Sequence, residues 1–99
     1  MNHVILVGKL MNPWHFNKTQ KGVSVASNIV VTNEDRAEGK ADEEHELVVW
    51  GQRAEQIVDL SKQGDTITIV GKIITSIWQS KTGKERKTKK IHVHKFEVS

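Results

Sequence analysis

The chain has 99 residues, no cysteine and a formal net charge of +3, with 15 Lys and Arg against 12 Asp and Glu. This length fits one domain with a modest core, so we expect residues 1–99 to form a single unit. The lack of cysteine excludes disulfides and thiolate metal sites. No apolar run is long enough for a membrane span or a signal peptide, so we expect a soluble, cytoplasmic protein with no membrane partner.

Charge is distributed unevenly along the chain. Residues 78–95 contain seven Lys and Arg against Glu85 alone, a local charge of +6. Residues 34–46 contain seven Asp and Glu against Arg36 and Lys40, a local charge of −5. This segregation indicates a surface with two differently charged faces. Each segment is also compatible with a solvated tip that keeps the protein in solution.

Three strands are predicted in the first half of the chain. HVILVGKL predicts a buried strand over 3–10, with a bulge or close backbone approach at Gly8. A turn-rich segment over 11–22 follows. VSVASNIVVTN predicts a second strand over 23–33, in which Val23, Val25, Ile29 and Val31 alternate with smaller or polar residues. Residues 34–44 form a loop, and HELVVWG predicts a third strand over 45–51.

The second half contains one helix and two strands. RAEQIVDLSK changes to helical spacing and predicts a helix over 53–62, with Ala54, Ile57, Val58 and Leu60 on one side and a stop at Gly64. TITIVGKIITSIW predicts a long strand over 66–78 with Gly71 at its middle, and KIHVHKFEV a last strand over 90–98. This element order predicts an all-β fold, the five-stranded Greek-key barrel called the OB-fold, with one short helix between strands 3 and 4.

No catalytic or metal-binding pattern is found. His92 and His94 share a strand face and could contribute to a three-histidine site, but the polar face of a barrel strand is the simpler interpretation. The sequence lacks a phosphate-binding loop, a calcium loop and a nucleophile elbow around any serine. We therefore predict a protein that is not an enzyme, with no catalytic residues, no metal site and no cofactor.

Aromatic rings and cations occur together around the predicted hairpin. Trp78 is followed by the cations Lys81, Lys84, Arg86, Lys87, Lys89 and Lys90. Single-stranded nucleic acid offers bare base faces and a line of phosphates, which flat side chains and cations bind without reading sequence. Trp78 is expected to be half-exposed and to stack on a base. Trp50 could be a stacking residue or core, and Trp14 and Phe16 could stack or close one end of the barrel.

Four segments in order resemble the bacterial and phage single-stranded DNA-binding proteins. MNHVILVGKL looks like the opening N-x-V-x-L-V-G-[RK]-L of that family, and GVSVASNIVVTN is similar to its second strand. HELVVWGQRAEQIVDLSKQGDTITIVGKI resembles its strand, helix and strand ending in V-x-G-[RK]-[IL]. TSIWQSKTGKERK is similar to its T-R-x-[WY]-x-x-x-x-G hairpin. The resemblance covers nearly the whole chain.

The resemblance implies sequence-tolerant binding of single-stranded DNA in replication, recombination or repair, close to the nucleoid, by a homotetramer or a dimer. Trp78 and Trp50 fall on the family's stacking positions, and Phe16 lies near a third. The cations expected to contact phosphates, from this resemblance and from the hairpin, are Lys9, Lys72, Lys81, Lys84, Arg86, Lys87 and Lys89.

The sequence also departs from the family pattern. Glu44 stands where many members have another stacking aromatic. The chain ends at Ser99, without the acidic-tipped tail that docks partner enzymes, so tail-mediated docking is not expected from it. Because carboxylates repel phosphate, we predict that bound DNA avoids residues 34–46.

Two other functions remain compatible with the sequence. One is an OB-fold protein-interaction module, such as a primosome or mobile-element accessory, whose acidic loop docks a basic partner while nucleic acid binds weakly. The other is a single-stranded RNA binder, since stacking does not distinguish ribose from deoxyribose.

Overall fold

A computed structural model describes residues 3–32 and 42–99. Its elements, in chain order, are β1 (Val4–Leu10), β2 (His15–Lys18), β3 (Ser24–Thr32), β4 (Glu43–Trp50), α1 (Gln52–Leu60), β5 (Thr66–Gln79) and β6 (Glu85–Val98). The five long strands and the helix between the third and fourth of them confirm the predicted OB-fold.

The strands form one sheet that closes on itself. Their order is β1-β5-β6-β4-β3-β2, and β1 also pairs with β3 through Lys9 and Leu10 to complete the barrel. β4 and β6 run parallel where Leu47 and Val48 meet Ile91 and His92, and every other pairing among the described strands is antiparallel. This closure leaves one interior to fill and one outer surface for contacts.

Two glycines allow the strands to come close, as the sequence predicted. A Cβ atom on Gly8 would collide with the backbone carbonyl of Val31 on β3. A Cβ atom on Gly71 would collide with the carbonyl of His92, at the point where the pairing of β5 with β6 shifts register. The irregularity at Gly71 therefore depends on the missing side chain.

The core is filled from all five long strands and from the helix. Its buried members are Leu10, Ala26, Val30, Leu47, Val49, Ala54, Ile57, Ile67, Ile69, Ile91 and Val93. Leu60, predicted to face the core from the helix, is instead 64% exposed, and Ser61 is buried just beyond the last turn. Residues 54, 57, 58 and 61 follow the i, i+3, i+4, i+7 spacing of one helix face and Leu60 falls outside it, which explains this difference.

On β3 the inward phase is opposite to what the apolar residues suggest. Ser24, Ala26, Asn28 and Val30 are buried, whereas the valines and isoleucine of the other phase are half-buried or exposed. Small side chains are suited to this part of the interior because α1 packs against β3 there. Asn28 is satisfied, since its Nδ2 donates to the Asn12 carbonyl at 2.7 Å and its Oδ1 accepts from the Ile29 N–H at 2.7 Å.

The sequence analysis missed one strand and the start of another, while the other predicted bounds differ from the structure by one or two residues. Residues 15–18, expected in a turn-rich segment, form β2 and pair with β3 from His15–Ser27 to Lys18–Ser24. β6 begins at Glu85, five residues before the predicted start, because its lysines pair with the far end of β5. The result is a long β5–β6 hairpin that extends beyond the core.

Candidate nucleic-acid interface

Strand alternation sorts the hairpin side chains into two sets. Directly paired residues of an antiparallel ladder project from the same face. We name as the outer hairpin face the pairs Lys72–His92, Ile74–Lys90, Ser76–Thr88 and Trp78–Arg86. We name as the inner hairpin face the pairs Ile73–Ile91, Thr75–Lys89 and Ile77–Lys87, because Ile91 is part of the core.

The turn that joins the two strands is well defined. The Ser80 N–H donates to the Lys84 carbonyl at 2.9 Å, and the Gly83 N–H donates to the Ser80 carbonyl at 2.9 Å. Gly83 has φ of 81°, a left-handed conformation that favours glycine. This turn fixes the register that places Trp78 opposite Arg86.

Trp78 lies on the outer hairpin face and is held in place by a hydrogen bond. Its indole N–H donates to Thr88 Oγ1 at 2.9 Å, and the residue is 50% exposed. Thr88 belongs to the neighbouring pair of the same face, so the bond crosses the hairpin. The indole is therefore oriented before any ligand arrives, while half of its surface stays open.

Trp50 lies on the outside of the barrel, so the alternative that it is core does not hold. It is 45% exposed and ends β4 opposite Val25, outside the inward phase of both strands. Its ring centroid is 6.5 Å from that of His92, with an angle of 50° between the planes. Through His92, the outer hairpin face continues onto Trp50.

Trp14 and Phe16 are not brought to this surface. Trp14 is half-buried against the core, and its indole N–H donates to Ser61 Oγ at 2.9 Å, which in turn donates to the Ile57 carbonyl at 2.6 Å. This placement agrees with closing one end of the barrel. Phe16 is partly exposed but pairs with Ala26, so it lies on the opposite side of the sheet from Trp50.

The predicted phosphate-binding cations are all exposed but fall into four places. Lys72 and Arg86 are on the outer hairpin face, Lys87 and Lys89 are on the inner hairpin face, Lys81 and Lys84 flank the turn, and Lys9 is on β1. Two residues that were not predicted as site residues, Lys90 and His92, also lie on the outer hairpin face. Alternation along β6 from Arg86, which pairs with Trp78, would have found Lys90.

Among the described residues, the acidic segment approaches the basic hairpin at Glu46. Residues 34–41 lie outside the described residues, Asp42 precedes β4 and residues 43–46 begin it, with exposed carboxylates at positions 42, 43, 44 and 46. Oε2 of Glu46 is 4.0 Å from Nζ of Lys90. Alternation along β4 places Glu46 on the same side of the strand as Trp50, so this carboxylate borders the aromatic surface.

His92 is electrostatically distinct within this surface. Partial burial, followed by the positive charge of Lys72, the nearby His94 and Lys90, lowers the pKa of its imidazole below the usual 6.5. The ring is therefore predominantly neutral at neutral pH and presents an uncharged plane between two lysines.

Two kinds of feature are absent from the described residues. Within residues 3–32 and 42–99, no three or more His, Cys, Asp or Glu side chains are grouped so that they could hold a metal ion. No helix in that part of the chain is long and apolar enough to span a membrane.

Known proteins resemble this chain over most of its length. A sequence model described as "Single-strand binding protein family" matches residues 1–99. "Single-stranded DNA-binding protein 3" of Listeria innocua is 30% identical over 87 residues, which cover 85% of this chain and 54% of that protein. "Single-stranded DNA-binding protein" of Bacillus cereus is also 30% identical, with 85% and 51% covered.

A more distant relative extends the match. The "Single-stranded DNA-binding protein" of Deinococcus radiodurans is 26% identical over 103 residues, covering 99% of this chain and 34% of that protein. The chain thus spans about half the length of the first two relatives and a third of this one. On the match over its whole length, the chain belongs to the single-strand binding protein family.

Proposed function

We propose that the protein binds single-stranded DNA without sequence preference, through Trp78, Trp50 and the cations of the outer hairpin face. The observation that carries this proposal is that two half-exposed tryptophans lie on one continuous surface with Lys72, Arg86 and Lys90. The names of the relatives support it.

Stacking and charge have separate tasks in this proposal. An aromatic ring contributes about 1–3 kcal/mol per stacked base and accepts any base, because every base has a flat face. Each phosphate neutralised by Lys or Arg releases counterions and adds about −0.7 to the slope of log affinity against log salt. Lys72, Arg86 and Lys90 border the tryptophans, while Lys81, Lys84, Lys87, Lys89 and Lys9 extend the positive surface more peripherally.

The cellular process and the assembly belong to the same proposal. We infer action in DNA replication, recombination or repair, by a homotetramer or a dimer. The outward side chains of β1 support assembly, since Ile5 is 70% exposed and Val7 is also exposed. Apolar side chains in this number on one strand suit contact with another chain.

A fluorescence titration tests the proposed function. The three tryptophans report binding when the protein is titrated with oligo-dT at low and moderate salt, with a DNA duplex and oligo-U as controls. The proposal expects strong quenching by oligo-dT that weakens as salt rises, and little quenching by the duplex. Equal binding of oligo-U would identify an RNA binder instead.

The acidic start of β4 favours a second candidate function. Exposed carboxylates of Glu43 and Glu44 beside the hairpin suit a basic protein partner. If oligo-dT causes no quenching and does not bind at low salt, the protein-interaction module becomes the better account.

A further inference from the structure

We propose that His92 and Trp50 form one base-binding platform, in which a base stacked on the indole also packs against the imidazole while Lys72 and Lys90 hold the phosphates on either side. This inference rests on the proposed function and adds to it a residue of the same site. It gives His92 a direct binding role that the sequence did not reveal.

The two rings lie close enough to interact and are tilted relative to each other. Centroids 6.5 Å apart lie within the range in which aromatic rings interact, and a 50° angle between the planes leaves the pair open on one side rather than stacked shut. A base laid on the open surface of Trp50 therefore comes within contact of the imidazole. Neither ring is buried, so both can be reached from solvent.

His92 lies between two neighbouring strands of the sheet. It is held from two sides, since β6 pairs there with Val48 of β4 and with Lys72 of β5. The adjacent glycine, Gly71, lies under the His92 carbonyl, where a Cβ atom would not fit. The imidazole thus projects from a residue whose backbone is paired on both sides, which suits a platform that must keep its shape.

Charged and titratable side chains surround His92. Lys72 faces it from β5, and Lys90 and His94 lie on either side of it along β6. From β4, Glu46 reaches Lys90 at 4.0 Å. Partial burial, followed by the positive charge of Lys72, lowers the pKa of the imidazole, and a neutral ring loses less hydration than a charged one when a base covers it.

Substitutions at His92 separate ring packing from charge. His92→Ala should weaken oligo-dT binding about threefold to tenfold, near the lower end of the effect of one stacked base. His92→Phe keeps a ring without a charge and should retain most of the affinity. His94→Ala is the matched control, because His94 is the next residue on the same face but has no ring contact with Trp50, and it should bind like the parent.

A double-mutant cycle tests whether the two rings act as one unit. His92→Ala combined with Trp50→Ala should weaken binding by clearly less than the product of the single effects, because each change breaks the same platform. His92→Ala combined with Trp78→Ala should give the full product, since six strand residues separate the sites by roughly 20 Å.

The outcomes distinguish this inference from the proposed function. If the parent binds oligo-dT and Trp50→Ala weakens it while His92→Ala does not, the platform is wrong and the proposed function stands. The platform is also overturned if His92→Phe binds as poorly as His92→Ala, or if the Trp50 and His92 effects multiply. If the parent does not bind oligo-dT, the proposed function itself fails.

Discussion

The two faces of the β5–β6 hairpin have similar charge but different chemistry. The outer hairpin face carries Arg86, Lys72 and Lys90, and the inner hairpin face carries Lys87 and Lys89. Only the outer face combines its cations with oriented aromatic rings, while the inner face presents Ile73 and Ile77. Positive charge alone therefore does not distinguish the proposed interface. What distinguishes it is that cations and aromatic rings lie on the same face of the hairpin.

The largest expected difference lies between two adjacent residues at the hairpin end. Trp78→Ala should cost about 1–3 kcal/mol of oligo-dT binding energy, because a stacking surface is lost. Ile77→Ala removes an exposed apolar side chain from the inner face and should change affinity little. Titration of both variants under one salt condition measures the contrast, and equal losses would mean that the faces are not distinguished by DNA.

Salt dependence compares the cations of the two faces. Replacing Lys72 and Arg86 together by Gln should reduce the magnitude of the salt slope by about 1.4, because each lost phosphate contact accounts for about 0.7. Replacing Lys87 and Lys89 by Gln removes the same charge from the inner face and should reduce it less. Affinities at four salt concentrations give both slopes. A larger reduction from the inner pair would reverse the assignment of faces.

A smaller effect is expected from the bond that orients Trp78. Thr88→Val keeps the size of the side chain but removes the acceptor of the indole N–H. A hydrogen bond of this kind contributes about 0.5–1.5 kcal/mol, so affinity should fall about twofold to tenfold with the fold intact. Thr75→Val, on the inner face, is the control. Unchanged binding by the Thr88 variant would show that the ring needs no such orientation.

The acidic border of the outer face should act in the opposite direction. Glu46→Gln frees Lys90 for phosphate and removes a repelling carboxylate, so oligo-dT should bind more tightly by up to about fivefold, the scale of an exposed ion pair. Glu55→Gln, on the exposed side of α1, controls for the change in net charge. Weaker binding of the Glu46 variant would contradict the prediction that DNA avoids the acidic segment.

The smallest effect concerns stability and pH. Because the pKa of His92 is lowered on folding, the unfolded chain takes up a proton more readily, and the free energy of unfolding should fall as the pH drops below about 6.5. Urea unfolding at pH 7.5 and 5.5, at one protein concentration, should show a smaller fall for His92→Gln than for the parent. An equal fall in the two proteins would contradict a depressed pKa.

The fold could be predicted from local signals in the sequence, but which side of a strand faces the core could not always be. The barrel was identified from the glycines at positions 8 and 71, from the helical spacing after Gly51 and from the turn at Gly83. Each of these signals depends only on residues that are close together in the sequence. The apolar pattern of β3 was misleading about which side faces the core, since Ser24 and Ala26 are buried by the approach of the helix rather than by their own hydrophobicity. Such a preference depends on tertiary packing and has no local signature.

The same limit applied to the site. Trp78 and its cations were evident because they are adjacent in the chain. Trp50 was ambiguous because its neighbours Val48 and Val49 are both buried, and only the sheet shows that it points outward beside His92. Trp14, by contrast, packs against the core and donates a hydrogen bond to Ser61. Distances between residues 42 positions apart, as for Trp50 and His92, follow only from the closed barrel.

The most direct test of the account follows the three indole N–H signals separately, in nuclear magnetic resonance spectra of ¹⁵N-labelled protein titrated with oligo-dT. With the proposed interface, the Trp50 and Trp78 signals should shift with DNA, while that of Trp14, which donates to Ser61 on the core side, should stay in place. A shift of Trp14 with Trp50 and Trp78 unmoved would contradict the proposed interface.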